Sequence, residues 1–378
     1  MNSRLDNTRP ADIGDYMKVF ACTAVMMQTV LGVVLGTNPP DNAQTFIGIV
    51  YNLVKFTAPA FIFGILYTTA RTTGDNSWNN YGGYMKKQWS ALFVPTIWWT
   101  LAYLLIFPDV QQVNQFNDVG SFLWNFVNGN AAPHLWYNTM MLQFIILMPF
   151  FWALGHWVKK SITNAIWAIA LTIVGYAAWL YFYDVNVFHG PQATNWYLLD
   201  RLFVSFVIYG IFGVIAWVYR EQFETFIRKV WIFLVVAIIA VYYWTNSELS
   251  AYGFPVQLTN APYYKPSMTL YALLVISLVA ALSMYHLRNN SKALPVFHFL
   301  AVYAYRAYLS NVFWFQIIWR IFGHNVALNH PIVAIVVCYL ITWCLAFTSA
   351  YTFHIIWSRV KSGFASKDSK QVSEQVKQ

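Results

Sequence analysis

The sequence predicts an all-α, polytopic integral membrane protein with about ten transmembrane helices and both termini in the cytoplasm. Three observations predict this fold class. Of the 378 residues, 58% are hydrophobic and only 10% are charged, whereas a soluble domain is about 25% charged, so most of the surface must face lipid. The apolar residues fall into ten runs, and Lys and Arg are alternately frequent and rare in the segments between the runs.

The ten apolar runs give the predicted helices. In hydrocarbon every backbone polar group has to be paired within its own segment, so each run is predicted to be helical. The runs lie near residues 16–36, 46–70, 88–107, 134–154, 162–183, 202–219, 230–244, 267–287, 296–322 and 328–357. Residues 1–362 are therefore predicted to form one membrane domain. Residues 363–378 are rich in Lys, Ser and Gln, which is typical of a disordered tail, here cytoplasmic.

The positions of the cations predict the orientation. Seventeen of the 23 Lys and Arg residues fall at the ends and in the loops that a cytoplasmic N-terminus places inside. The opposite loops contain only Arg201 and Lys265. This asymmetry explains the net charge of +9 as membrane orientation rather than as a surface for nucleic acid. We therefore expect a multi-pass protein of the cell membrane, in contact with lipids and without a nucleic-acid partner; the oligomeric state is not predicted.

Cations inside the apolar runs are the first candidate site residues. Lys55 and Arg306 lie near the middle of their runs, where a charge costs about 2.5–3.5 kcal/mol. All 14 Asp and Glu residues lie in loops, tails or helix ends, so we expect no acid at that depth. Pro59 cannot donate an N–H to the Lys55 carbonyl, which favours a polar cavity there. Lys55 and Arg306 are then expected to bind water or an anionic ligand. The alternative is that they pair with other groups of the protein in a purely structural role.

Two helix faces extend this interpretation. On the first helix Lys18 and Thr29 are eleven residues apart and share a face, because eleven residues complete about three turns. On the ninth helix Arg306 and Ser310 form a similar stripe. Such faces could line a tunnel, although hydroxyl stripes also occur where transmembrane helices simply pack.

His134 is the candidate general base, because its ordinary pKa is close to physiological pH. It follows residues 108–133, the longest outer segment, which contains Asn, Gln and aromatic residues but no Lys or Arg. That segment either folds over a sugar site or is a plain polar connector. No two of the eight histidines have the spacing of a helical metal site, so no metal is expected.

Four segments carry a resemblance to a known family. They are residues 15–18 (Asp-Tyr-Met-Lys), residues 58–61 (Ala-Pro-Ala-Phe) with Arg71 beyond them, residues 134–137 (His-Leu-Trp-Tyr), and residues 304–311 (Ala-Tyr-Arg-Ala-Tyr-Leu-Ser-Asn). In this order they resemble the acyltransferase-3 family of membrane acyltransferases. That family has ten core helices and moves acyl groups, often acetyl, from cytoplasmic acyl-CoA to glycans outside. Thr29 and Asn311 stand where the family has histidines.

The resemblance implies a membrane acyltransferase that moves an acyl group, expected to be acetyl, from acyl-CoA to a cell-surface glycan or a lipid-linked saccharide. His134 is then the catalytic residue, with acyl-CoA as co-substrate and no permanently bound cofactor. The predicted substrate-binding residues are Lys18, Thr29, Lys55, Arg71, Trp136, Tyr305, Arg306, Ser310 and Asn311. Neither Thr29 nor Asn311 can titrate, so the active site would be atypical.

Two other classes remain open from the sequence. The first is a non-catalytic transporter or export factor for an anionic or glycan substrate, which the two missing histidines and the deep cations favour. The second is an accessory subunit that holds a partner enzyme.

Overall fold

The structure, a computed structural model, describes the backbone of residues 11–375 and the side chains of residues 11–359. Within residues 11–375 it consists of helices and connecting segments, without a β-strand. The all-α, polytopic membrane fold is therefore confirmed. The α-helices are α1 (Ile13–Leu35), α2 (Asp41–Leu53), α3 (Thr57–Thr73), α4 (Tyr81–Gln88), α5 (Val94–Ile106), α6 (Val119–Asn128), α7 (Trp136–Ile146), α8 (Met148–Lys159), α9 (Ile162–Tyr183), α10 (Val207–Val218), α11 (Arg220–Ser250), α12 (Pro266–Arg288), α13 (Leu294–Ile318), α14 (His324–Asn329) and α15 (Pro331–Gln375).

Seven helical segments of the described residues are long and apolar enough to cross a membrane. The pair α7 and α8 gives an eighth candidate if it is one span, bent by 57°. The bend follows from Pro149 near the start of α8, since proline cannot continue a regular helix. The shorter α10 and α13, which contains His298, Arg306 and Asn311, occupy the two remaining predicted runs but are not among these candidates. The number ten and the side of the termini stay predictions.

The N-terminal cations Arg4 and Arg9 lie outside the described residues. At the other end, α15 continues to Gln375, so the backbone has no helix end at the predicted boundary between residues 362 and 363. The division into a membrane domain and a disordered tail stays a prediction.

Helix α1 lies at the centre of the bundle, where it packs against α3, α12, α13 and α15. Small residues permit this close packing. A Cβ atom added to Gly64 of α3 would lie 2.8 Å from Met17 Cβ of α1, and one added to Gly213 of α10 would lie 2.6 Å from the Phe63 carbonyl oxygen of α3. Helices α1, α3 and α10 are therefore in close backbone contact.

The second predicted helix is broken, and this corrects the expectation at Lys55. Residues 54–56 form a turn between α2 and α3, so Lys55 lies in a break rather than in the middle of a continuous helix. Two carbonyls at the break accept hydrogen bonds from side chains of other helices. Tyr271 Oη donates to the Leu53 carbonyl at 2.7 Å, and Gln28 Nε2 donates to the Val54 carbonyl at 2.7 Å. The polar cavity that Pro59 suggested at the Lys55 carbonyl stays a prediction.

Residues 108–133, the long segment that is predicted to lie outside, are held by Arg201. Arg201 Nη1 donates to the Asn128 carbonyl and to Asn130 Oδ1, both at 2.7 Å, and Nη2 donates to Gln112 Oε1 at 3.0 Å. Within the segment, Gln112 Nε2 donates to the Pro133 carbonyl at 3.0 Å. These bonds fix the backbone immediately before His134.

Candidate active site around His134

His134 lies in the turn before α7 and is only 2% exposed. Its ring packs between two tyrosine rings, with centroids 5.3 Å from Tyr103 and 5.1 Å from Tyr308. Its Nε2 atom lies 3.4 Å from the carbonyl oxygen of Leu309 in α13. A carbonyl can only accept, so Nε2 is the nitrogen that carries the hydrogen. In the neutral ring the Nδ1 atom then has a free lone pair, which is the form a general base requires.

The Nδ1 atom of His134 is buried and has no hydrogen-bond partner among the described residues. The same holds for Tyr137 Oη, Asn138 Oδ1 and Asn311 Oδ1. A buried polar atom is normally bonded, so these four atoms, on α7, on α13 and in the turn before α7, have hydrogen-bonding capacity that the described residues leave unused. We call His134, Tyr137, Asn138, Tyr308 and Asn311 the His134 cluster.

Tyr308 joins the members of this cluster. Its hydroxyl donates to the His134 carbonyl, and its own carbonyl accepts from Asn311 Nδ2. Its ring centroid lies 5.7 Å from that of Tyr137 and 6.2 Å from that of Tyr305. The sequence prediction included Tyr305 and Asn311 and missed Tyr308.

A short hydroxyl chain extends the cluster toward α5. The Tyr305 and Thr96 hydroxyls are 2.6 Å apart, and Asn138 Nδ2 lies 3.5 Å from Thr96 Oγ1. Ser310, by contrast, donates to the Ala307 carbonyl of its own helix at 3.2 Å. Thr29 likewise donates to the Val25 carbonyl at 3.2 Å, so the structure shows no bond from these two hydroxyls to the cluster.

Trp136 connects the His134 cluster to Lys55. Its ring contacts Tyr137 and Tyr263, with centroids 6.3 and 5.7 Å away. The Lys55 ammonium lies 4.3 Å from the centre of the Tyr263 ring and donates to Tyr51 Oη at 2.8 Å. Lys55 is 7% exposed, so two aromatic rings and one hydroxyl surround a buried cation that has further donor hydrogens to offer.

An acid does approach Lys55, which the sequence did not predict. Asp200, in the connection between α9 and α10, is close enough to Lys55 for electrostatic attraction and accepts a hydrogen bond from Arg201 Nε at 3.1 Å. Burial raises the pKa of the Asp200 carboxyl to about 6, although Arg201 and Lys55 act in the opposite direction. The expectation of no carboxylate near Lys55 is therefore wrong, because a loop rather than a helix supplies it.

Lys18 of α1 and Arg71 of α3 lie near the N-terminal end of α1, each beside a carboxylate. Lys18 Nζ is 3.6 Å from Asp15 Oδ1, and His298 Nδ1 is 3.1 Å from Asp15 Oδ2. Arg71 forms an ion pair with Asp12, the residue that precedes α1. The structure therefore places these two cations away from Lys55, and the four predicted cations do not converge on one point.

Arg306 lies on a different face of α13 from the His134 cluster. Its side chain is exposed, and Nη1 lies 2.8 Å from His354 Nδ1 of α15. The predicted stripe of Arg306 and Ser310 therefore does not form one wall. Among residues 11–359, no group of three or more His, Cys, Asp or Glu side chains could hold a metal ion.

One comparison with known proteins identifies the family. The family described as "Acyltransferase domain" matches residues 14–351, nearly the whole chain. The chain belongs to this acyltransferase family. No curated protein and no solved structure matches the chain. Membership indicates a membrane acyltransferase, and the resemblance that the four short segments suggested is confirmed.

The acyltransferase family match covers every predicted site residue, from Lys18 to Asn311. The residues that sequence reasoning missed are Thr96, Tyr103, Tyr137, Asn138, Asp200 and Tyr308. Asn138 and Thr96 carried a usable signal, since each is a polar residue inside an apolar run. Tyr103 and Tyr308 carried none, because they are two of 25 tyrosines and only their buried contacts distinguish them.

Proposed function

We propose that this protein is an O-acyltransferase that moves an acyl group, acetyl in the first instance, from acyl-CoA to a hydroxyl of a cell-surface glycan or lipid-linked saccharide. The observation that carries the proposal is the free Nδ1 atom of His134, 98% buried in a group of unpartnered polar atoms. A neutral imidazole held by its other nitrogen is suited to take a proton from an alcohol. Family membership supports the same reaction class.

The transfer proceeds by addition and elimination. The sugar hydroxyl oxygen attacks the thioester carbonyl carbon while its proton passes to His134 Nδ1. The tetrahedral oxyanion accepts a hydrogen bond from the Tyr137 hydroxyl, which has no other partner. The carbon–sulfur bond then breaks, the imidazolium returns its proton to the CoA sulfur, and the products are an ester and free CoA thiol.

The two ends of the molecule suit two different substrates. At the predicted cytoplasmic end, Lys18 and Arg71 are cations beside Asp15 and Asp12, and the donor phosphates would bind there. On the predicted outer side, Trp136 offers a ring and the ordered loop offers amides, which are groups that contact sugars. Lys55 lies on that outer side as well, so we assign it to the acceptor rather than to the donor.

The test is the ester content of surface polymers, measured by mass spectrometry in cells that lack the protein and carry a variant. His134→Gln removes the base while retaining a donor toward the Leu309 carbonyl. His330→Ala is the matched control, because His330 is exposed and outside the cluster. We expect His134→Gln to lower the ester content per polymer by about 10²-fold or more, and the control to restore it fully.

Two results would contradict the proposal. Normal ester content with His134→Gln would exclude His134 as the base. Unchanged ester content per polymer in cells without the protein, together with less polymer at the surface, would favour the export factor. The export factor is retained as a second candidate function because neither Thr29 nor Asn311 has a titratable group.

A further inference from the structure

A groove between α11 and α12 is separate from the His134 cluster. It has a volume of about 840 Å³, within the range of small-molecule sites. Arg228, Trp231 and Glu224 line it from α11, and Arg288, Leu278 and Leu282 line it from α12. It lies at the end of the molecule where Lys and Arg are concentrated, which is predicted to be cytoplasmic. Trp231 is exposed, so the groove opens sideways toward lipid.

The position of the groove along α11 and α12 can be measured from a contact at the opposite end of these two helices. Glu248 of α11 accepts a hydrogen bond from Ser267 of α12 at 2.6 Å, which places these residues at one level. Arg228 is twenty residues from Glu248, or about 30 Å along the helix, and Arg288 is twenty-one residues from Ser267, or about 32 Å. Both arginines therefore lie at the same depth, about one hydrocarbon thickness from that contact.

The charges of the groove are arranged in layers. Neither Arg228 nor Arg288 has an ion-pair partner among the described side chains. Glu224 lies one turn, about 6 Å, further toward the water than Arg228. Leu278 and Leu282 lie deeper, and Trp231 is at a depth where tryptophan usually marks the membrane interface. From water inward the groove thus offers two carboxylates, Glu221, which lies 3.9 Å from Arg220, and Glu224, followed by two cations and an apolar wall.

We propose that this groove binds one zwitterionic aminophospholipid of the predicted cytoplasmic leaflet. Arg228 and Arg288 bind its phosphate from two sides, since guanidinium groups bind phosphate oxygens in pairs. Glu224 binds the headgroup amine, which projects outward beyond the phosphate. An acyl chain lies along Leu278 and Leu282. The site does not depend on the proposed acyl transfer, because no residue of the His134 cluster lines it.

The test is native mass spectrometry of the purified full-length protein, with phosphatidylethanolamine and phosphatidylglycerol added in equal amounts. The two lipids share the phosphate, but only the first has the amine. We expect one phosphatidylethanolamine per protein, bound in preference to phosphatidylglycerol. Arg228→Gln and Arg288→Gln should each weaken retention about tenfold, as expected for loss of a charge-assisted hydrogen bond. Lys229→Gln, the adjacent cation that does not line the groove, should leave retention unchanged.

A second variant tests the headgroup. Glu224→Gln should reduce the preference for phosphatidylethanolamine while leaving the retention of phosphatidylglycerol unaltered. Retention that is insensitive to both arginine substitutions would overturn the proposal, as would equal retention of the two lipids by the unmodified protein. Displacement of the lipid by CoA would instead identify the groove as a site for a soluble phosphate ligand.

Discussion

Tyr103→Phe is the substitution that most directly tests how His134 is held. Tyr103 of α5 is fully buried. Its hydroxyl donates to the Leu309 carbonyl at 2.8 Å and accepts from the Phe313 N–H at 3.0 Å. An α-helix would pair those two groups with each other, so the Tyr103 hydroxyl is inserted into the hydrogen-bond ladder of α13. Phenylalanine keeps the ring against His134 and removes only this oxygen.

The expected cost in stability is small. Losing a buried hydrogen bond without replacement costs about 1–3 kcal/mol. Here the Leu309 carbonyl and the Phe313 N–H can bond to each other once the hydroxyl is gone, so we expect a loss of about 1 kcal/mol. That new bond would turn the Leu309 carbonyl away from His134 Nε2, which is already 3.4 Å distant. The nitrogen that carries the hydrogen would no longer be fixed.

The expected effect on catalysis is therefore larger than the effect on stability. Outer partners that orient a functional histidine are worth about 10–100-fold, and we expect a fall in kcat of that size. The KM for acyl-CoA should not change, since Tyr103 is remote from Lys18 and Arg71. The assay is the rate of acyl transfer by purified protein, together with its melting temperature.

Tyr176→Phe is the matched control. Tyr176 is also a buried tyrosine, and its hydroxyl donates to the Ser205 carbonyl at 2.9 Å, but it has no contact with His134. It should lose stability without losing kcat. A normal kcat for Tyr103→Phe, or an equal loss in the control, would refute the idea that α13 orients the base.

Three further substitutions distinguish the predicted cations and the acid beside them. Lys55→Met should raise the KM for the acceptor about tenfold through loss of one charge-assisted hydrogen bond, and a rise in the KM for acyl-CoA instead would contradict its assignment to the acceptor. Arg306→Leu should leave the rate of acyl transfer within about twofold of the parent, as most exposed substitutions do. The reason is that the exposed Arg306 side chain contacts His354 rather than the His134 cluster. A large loss of rate would show that Arg306 does contribute to the active site. Burial raises the pKa of the folded Asp200 carboxyl from the ordinary 3.8 to about 6, so its contribution to stability is largest below about pH 4, falls by up to roughly 3 kcal/mol between about pH 4 and pH 6, and is constant above that range. The melting temperature of Asp200→Asn should lack this fall, and parallel pH curves for the two proteins would exclude the effect.

The membrane fold could be predicted because lipid imposes its constraints on local sequence. Apolar runs and loop charges are both properties of short segments, and the helices follow the predicted runs in order. The break at residues 54–56 could not be predicted in the same way. It is stabilised by Tyr271 and Gln28, donors that come from α12 and α1, and these partners are distant in the sequence.

The candidate site was predicted in part, for a related reason. Helical periodicity predicts which residues share a face of one helix. It does not predict which neighbouring helix packs against that face. Lys18 and Arg306 were each placed correctly on a helix, yet one lies beside Asp15 and the other beside His354. His134 could be selected because histidine has an ordinary pKa that suits a base and because it follows the long segment 108–133. Asp200 could not, because its loop turns inward to a depth that composition does not encode.

The local bonds of Thr29, Asn311 and His134 explain why the proposed base lies before α7 rather than on α1. Thr29 has no basic group, and its hydroxyl donates to the Val25 carbonyl of its own helix. The Asn311 amide donates to the Tyr308 carbonyl and leaves only a neutral oxygen without a partner. Among the predicted site residues, the buried nitrogen atoms without a partner in the described part of the chain are His134 Nδ1 and Arg71 Nε; the guanidinium of Arg71 stays protonated, so His134 is the one that can act as a base. Gln112 donates to the Pro133 carbonyl and Tyr308 donates to the His134 carbonyl, so the backbone of this turn is held by two side chains. In the proposed reaction the proton therefore moves on the acceptor's side of the bundle, and α1 contributes the cation that receives the donor.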